Sequence, residues 1–89
     1  MRNLRWILLF LPFSALGQLR DGSLEGTLRD SATRLAIGSA TAHLRQYDGI
    51  LEKHVISDKT GFFAIDSLRE GKYRLVITMS GYGSLIMDS

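Results

Sequence analysis

Apolar residues follow two different rules along this chain. Residues 6–13, W-I-L-L-F-L-P-F, form one apolar run. From residue 23 onward apolar and polar positions alternate with a period of two, the repeat of a strand whose successive side chains point to opposite faces. In residues 23–29, Leu24, Gly26 and Leu28 share one face and Glu25, Thr27 and Arg29 the other. Residues 40–47 set Ala40, Ala42 and Leu44 against Thr41, His43, Arg45 and Tyr47. Residues 50–57 predict a third strand in which Val55 and Ile56 point to opposite faces, and the pattern leaves open which of them is core. Residues 61–65, G-F-F-A-I, are aromatic and β-branched, which fits a fourth strand. The fifth, residues 72–79, has Tyr73, Leu75, Ile77 and Met79 on one face and Arg74, Val76 and Thr78 on the other. Leu85, Ile86 and Met87 begin one more, expected to be incomplete. Helical periodicity is absent after the opening run.

Turn chemistry separates these runs. Asp30-Ser31-Ala32-Thr33, Asp48-Gly49, Asp58-Lys59-Thr60-Gly61 and Arg69-Glu70-Gly71 combine side chains that bond their own backbone with glycines suited to positive φ. Gly81 and Gly83 bracket Tyr82 where the fifth run ends. Between the first two strands, Leu35 and Ile37 are expected to plug the end of the core. The fold class that follows is all-β, a small antiparallel β-sandwich.

The opening run reads differently. Arg2 and Arg5 precede it, and Ala15 and Gly17 are small residues at the two positions a signal peptidase reads, so residues 1–17 are expected to be a helical secretory leader cleaved before Gln18. It is too short to be a membrane anchor, since a spanning helix needs ~20 apolar residues. Residues 18–89 are then one domain, with only a few to about ten kcal/mol of stability expected for that size. The whole chain carries eleven Lys and Arg against nine Asp and Glu. With Arg2 and Arg5 in the leader the remainder is balanced, and it lacks the clustered basic patch that nucleic-acid binding wants. Cysteine is absent, which excludes disulfides, cysteine metal sites and a lipid-bearing cysteine. Export together with a small cysteine-free domain fits a bacterial periplasm or outer surface.

No constellation in the sequence points to catalysis, a cofactor or a metal. His43 and His54 lie on different strands without acidic residues at a metal-binding spacing. Asp58-x-x-Gly61 lacks the alternating oxygen ligands of a calcium loop and reads as a turn cap. Ser39, Ser80 and Ser84 lack the two flanking glycines and following helix of a nucleophile elbow. Gly81-Tyr82-Gly83 is only half of a dinucleotide fingerprint. Of the aromatics Phe62, Phe63, Tyr73 and Tyr82, Phe63 and Tyr73 are expected in the core. Phe62 and Tyr82, partly exposed, are the residues that a glycan would stack on.

The ordered set Asp58, Gly61, Phe63, Ile65, then Leu68, Gly71, Tyr73, Leu75, Ile77, then Gly81 and Tyr82 resembles the carboxypeptidase regulatory-like domain, a transthyretin-like β-sandwich. Upstream, residues 24–30 (L-E-G-T-L-R-D) resemble the opening strand of that family and residues 38–44 (G-S-A-T-A-H-L) its second. The resemblance implies an accessory domain, and no residue of the peptidase itself carries over. Such domains stand at the N-terminus of TonB-dependent receptors and related outer-membrane β-barrel proteins of Bacteroidetes type. It therefore implies a non-catalytic module in the periplasm or outer membrane of a Gram-negative bacterium, with protein partners, the chain being the N-terminal piece of a longer protein or a truncated frame. The alternative it leaves open is a secreted carbohydrate- or surface-binding module, with a glycan as partner.

Overall fold

The computed structural model describes residues 5–10, 22–47 and 49–88. Among them are seven strands and no helix: β1 (Ile7–Phe10), β2 (Gly22–Asp30), β3 (Thr41–Gln46), β4 (Glu52–Ile56), β5 (Phe62–Leu68), β6 (Tyr73–Thr78) and β7 (Leu85–Asp88). They form two antiparallel sheets, one in the order β1-β2-β5 and the other in the order β4-β3-β6-β7. The alternation predicted from the sequence is what lets each sheet keep one apolar face, and the two apolar faces form a single core.

The register shows how the faces meet. In the larger sheet, Val55, Ala42, Ile77 and Leu85 form one inward row, and Lys53, Leu44, Leu75 and Met87 the next. Tyr73, Leu75 and Ile77 are wholly buried. The smaller sheet contributes Ile7, Leu24, Leu28, Phe63, Ile65 and Leu68. Burying a side chain of this size contributes about 1.5–3 kcal/mol. The outward rows are polar at one end, where Glu52, Arg45, Arg74 and Asp88 run across the four strands.

The turns are built as their residues suggest. Asp58 Oδ1 accepts from the Thr60 N–H (2.8 Å), the Thr60 hydroxyl (2.6 Å) and the Phe62 N–H (3.1 Å). These bonds hold its carboxyl below the usual range, the Thr60 hydroxyl most and its N–H next. Gly61 follows at φ +83°, and a Cβ there would collide with the Leu28 carbonyl oxygen. Glycine is therefore required twice over, by conformation and by space. The β3–β4 connection closes with the Gln46 N–H donating to the Leu51 carbonyl at 2.9 Å; Asp48 of the predicted Asp48-Gly49 turn lies outside the described residues.

Three expectations are refined or corrected. Val55 is the core-facing member of its pair, packed against the buried cluster, and Ile56 faces outward. Ile37 plugs the core, whereas Leu35 is exposed. Arg34 adopts a left-handed φ of 66°, and the chain then runs beside the end of β2, tied by Asp30 N–H to Leu35 O (2.8 Å) and Ile37 N–H to Leu28 O (3.0 Å). Only Ile37 reaches the layer between the sheets.

The third concerns the N-terminus. Within residues 1–17, expected as a leader helix, Ile7–Phe10 of the apolar run form strand β1; residues 1–4 and 11–17, with the expected cleavage point, lie outside the described residues. A helix would satisfy its backbone internally. Here the edge of β2 offers the same bonds together with an apolar layer, and Ile7 and Leu9 turn into it.

Candidate functional site

The most elaborate polar arrangement lies where the two sheets meet at one end. β2 finishes at Asp30, whose side chain is buried. Its Oδ1 accepts from the Ala32 and Thr33 N–H groups (2.8 and 2.9 Å), and its Oδ2 from the Tyr82 hydroxyl (2.9 Å). The Arg5 guanidinium stands 4.0 Å away. These donors hold the Asp30 carboxyl down to about 2, the Thr33 N–H contributing most, then Ala32 and Tyr82, with burial opposing and Arg5 last. A carboxylate bonded in this way is ionised at neutral pH and far from the range a general acid or base works in. It is a clasp: the end of β2, the turn after it and the loop after β6 are held by one group.

The two histidines do meet, which their separation in sequence did not reveal. β3 and β4 pair with His43 opposite His54, and the rings stack with centroids 4.3 Å apart and planes 2° from parallel. His43 Nε2 bonds Glu52 Oε2 at 2.8 Å. In stacked rings the nitrogen lone pairs lie in separate parallel planes, so they do not converge on a common point. Among the described residues no group of three or more His, Cys, Asp or Glu could hold a metal. The signal that could have found this pair is the strand register, with the hairpin counted from both sides.

Phe62 and Tyr82, the candidate glycan contacts, are separated. Phe62 opens β5 on the outer face of the smaller sheet, in a cross-strand row with Thr27 and Phe10. Tyr82 packs against the core with its hydroxyl given to Asp30. Phe63 and Tyr73 are core, as expected. Tyr73 donates its hydroxyl to the Arg69 carbonyl at 2.6 Å, which secures the β5–β6 turn from inside. A second surface cluster joins β6 to β7: Arg74 Nε donates to Asp88 Oδ1 at 2.7 Å, and the Tyr47 hydroxyl donates to the same oxygen. The Asp88 carboxyl is lowered, chiefly by Arg74, and Arg74 is raised, chiefly by Asp88.

Sequence reasoning also passed over Ser57. It is buried just after β4, donates to the Ile37 carbonyl (2.8 Å) and accepts from the Ala40 N–H (3.0 Å). No helix in the described residues is long and apolar enough to cross a membrane. Compared with protein-family models, curated proteins and solved structures, the chain matches none.

Proposed function

We propose that this chain is a non-catalytic, exported β-sandwich module of the carboxypeptidase regulatory-like, transthyretin-like kind, the periplasmic N-terminal part of a TonB-dependent receptor or related outer-membrane β-barrel protein. Its work is contact with partner proteins. The observation that carries this reading is that the residues of the resemblance take matching physical roles. Asp58 and Gly61 make the turn, Phe63, Ile65, Leu68, Tyr73, Leu75 and Ile77 are buried from both sheets, and Gly81 turns the chain at φ +87° before Tyr82. The test is expression of the full chain in a Gram-negative host, followed by fractionation and N-terminal sequencing. A product that begins at Gln18 in the periplasm supports the reading, and an intact product in the cytoplasm overturns it.

The carbohydrate-binding reading draws on one observation, the exposed ring of Phe62 beside Thr27 on the outer face of the smaller sheet. An exposed ring beside a hydroxyl on a sheet face is a surface a sugar can stack on. A glycan titration followed by NMR decides it: saturable shifts at Phe62 favour binding, and unchanged spectra favour the protein-contact role.

A further inference from the structure

Residues 5–10 are held by features that have the character of a receptor groove. On one side β1 pairs antiparallel along β2, Ile7 with Asp30 through Phe10 with Thr27. At its start the segment also bonds the opposite sheet's loop: Gly83 N–H donates to the Arg5 carbonyl at 2.8 Å, and Arg5 N–H to the Gly81 carbonyl at 3.4 Å. Two glycines make seats for its side chains. A Cβ on Gly26 would fall 2.9 Å from Leu9 Cδ1 and 2.8 Å from Phe63 Cζ, and a Cβ on Gly83 would collide with the Trp6 indole. Ile7 is buried between these seats, and Arg5 approaches the Asp30 carboxylate.

From this we infer that the groove along β2 is a binding site for an extended peptide strand. Its ligand class is a segment with a basic residue, then an aromatic, then aliphatic residues at alternate positions, the pattern Arg5, Trp6, Ile7, Leu9 displays. Main-chain bonds to a sheet edge supply affinity for such strands, and the side-chain seats supply selectivity. In the described chain the groove is filled by its own residues 5–10. That it opens to a partner's strand rests on the export reading, because cleavage before Gln18 removes β1 and leaves the β2 edge and its apolar seats without an occupant.

The amides of β2 allow a direct test in the full chain. Leu28 N–H points away from β1, to the Gly61 carbonyl at 2.8 Å, and Asp30 N–H to Leu35. By the alternation of strand amides, Thr27 and Arg29 point toward β1, as does Ser31, which donates to the Trp6 carbonyl at 2.9 Å. The double variant Ile7→Glu, Leu9→Glu expels the chain's own strand. Hydrogen exchange at Thr27, Arg29 and Ser31 is expected to quicken by at least about tenfold while Leu28 and Asp30 stay slow. A synthetic peptide of residues 5–10, flanked by lysines for solubility, restores the slow rates, and the same peptide with Glu at positions 7 and 9 does not. If the variant loses protection throughout, recovery of Leu28 protection on adding the first peptide supports the site, and no recovery overturns it. Indifference of Thr27 and Arg29 to either peptide overturns it as well. So does concentration-dependent protection that the peptide cannot displace, which would make a second copy the occupant. Because these rates are read on an uncleaved chain, they stand or fall separately from the N-terminus found in the export experiment.

Discussion

The Tyr82 hydroxyl donates to Asp30 Oδ2 at 2.9 Å, joining the loop after β6 to the end of β2 across the seam between the sheets. A strand end and a loop far apart in sequence are thereby held at one place by a carboxylate that must be ionised. Its pH dependence follows. Asp30 is lowered to about 2 in the folded chain, chiefly by the Thr33 and Ala32 N–H groups and Tyr82, against about 3.9 when unfolded. A lowered folded value means that the unfolded chain binds the proton first, so the stabilisation is complete above about pH 4 and is lost as the pH falls toward 2. Urea midpoints measured from pH 7 to pH 2 should drop over that window, and Asp30→Asn should be less stable at neutral pH with a flatter profile below pH 4.

Gly61 stands at positive φ with the Leu28 carbonyl oxygen where a side chain would begin. Gly61→Ala combines a left-handed penalty with a backbone collision and should cost on the order of 2–4 kcal/mol. Denaturant unfolding of the variant checks this, and Gly49→Ala, at a position whose nearest neighbour is the flexible end of Gln46, is the milder comparison.

The burial alternation in β6 makes a paired prediction. Leu75 is wholly buried, whereas Arg74 and Thr78, on the opposite face of the strand, are exposed. Leu75→Ala should destabilise by about 2–5 kcal/mol through lost contacts and the cavity left behind. Thr78→Ala should change stability by no more than about 0.5 kcal/mol. Similar losses from both would mean that the face assignment is wrong.

Ser57→Ala removes one hydroxyl and leaves the Ile37 carbonyl and the Ala40 N–H without that partner in the interior. A loss of about 1–3 kcal/mol is expected, because buried groups left unpaired forfeit their hydration without recompense. Thr60→Ala, at an exposed turn, removes a hydroxyl that bonds Asp58 and should cost less. Thermal melts of the two variants side by side provide the measurement.

What the sequence determined by itself was local. Period-two spacing placed Leu24, Leu28, Ala42, Leu44, Tyr73, Leu75 and Ile77 on inward faces, because a strand's side chains can only alternate. Asp58 and Gly61 declared a turn because their chemistry acts within a few residues. Tertiary structure decided whatever depends on which strands lie side by side. It set Val55 rather than Ile56 inward, turned Leu35 out beyond Arg34, stacked His43 on His54 and brought Tyr82 to Asp30. Residues 7–10 show the division most plainly. Their apolar run reads as the helical part of a leader, and the extended conformation that residues 7–10 take comes from the β2 edge and the glycine seats at positions 26 and 83, which only the assembled sheets create.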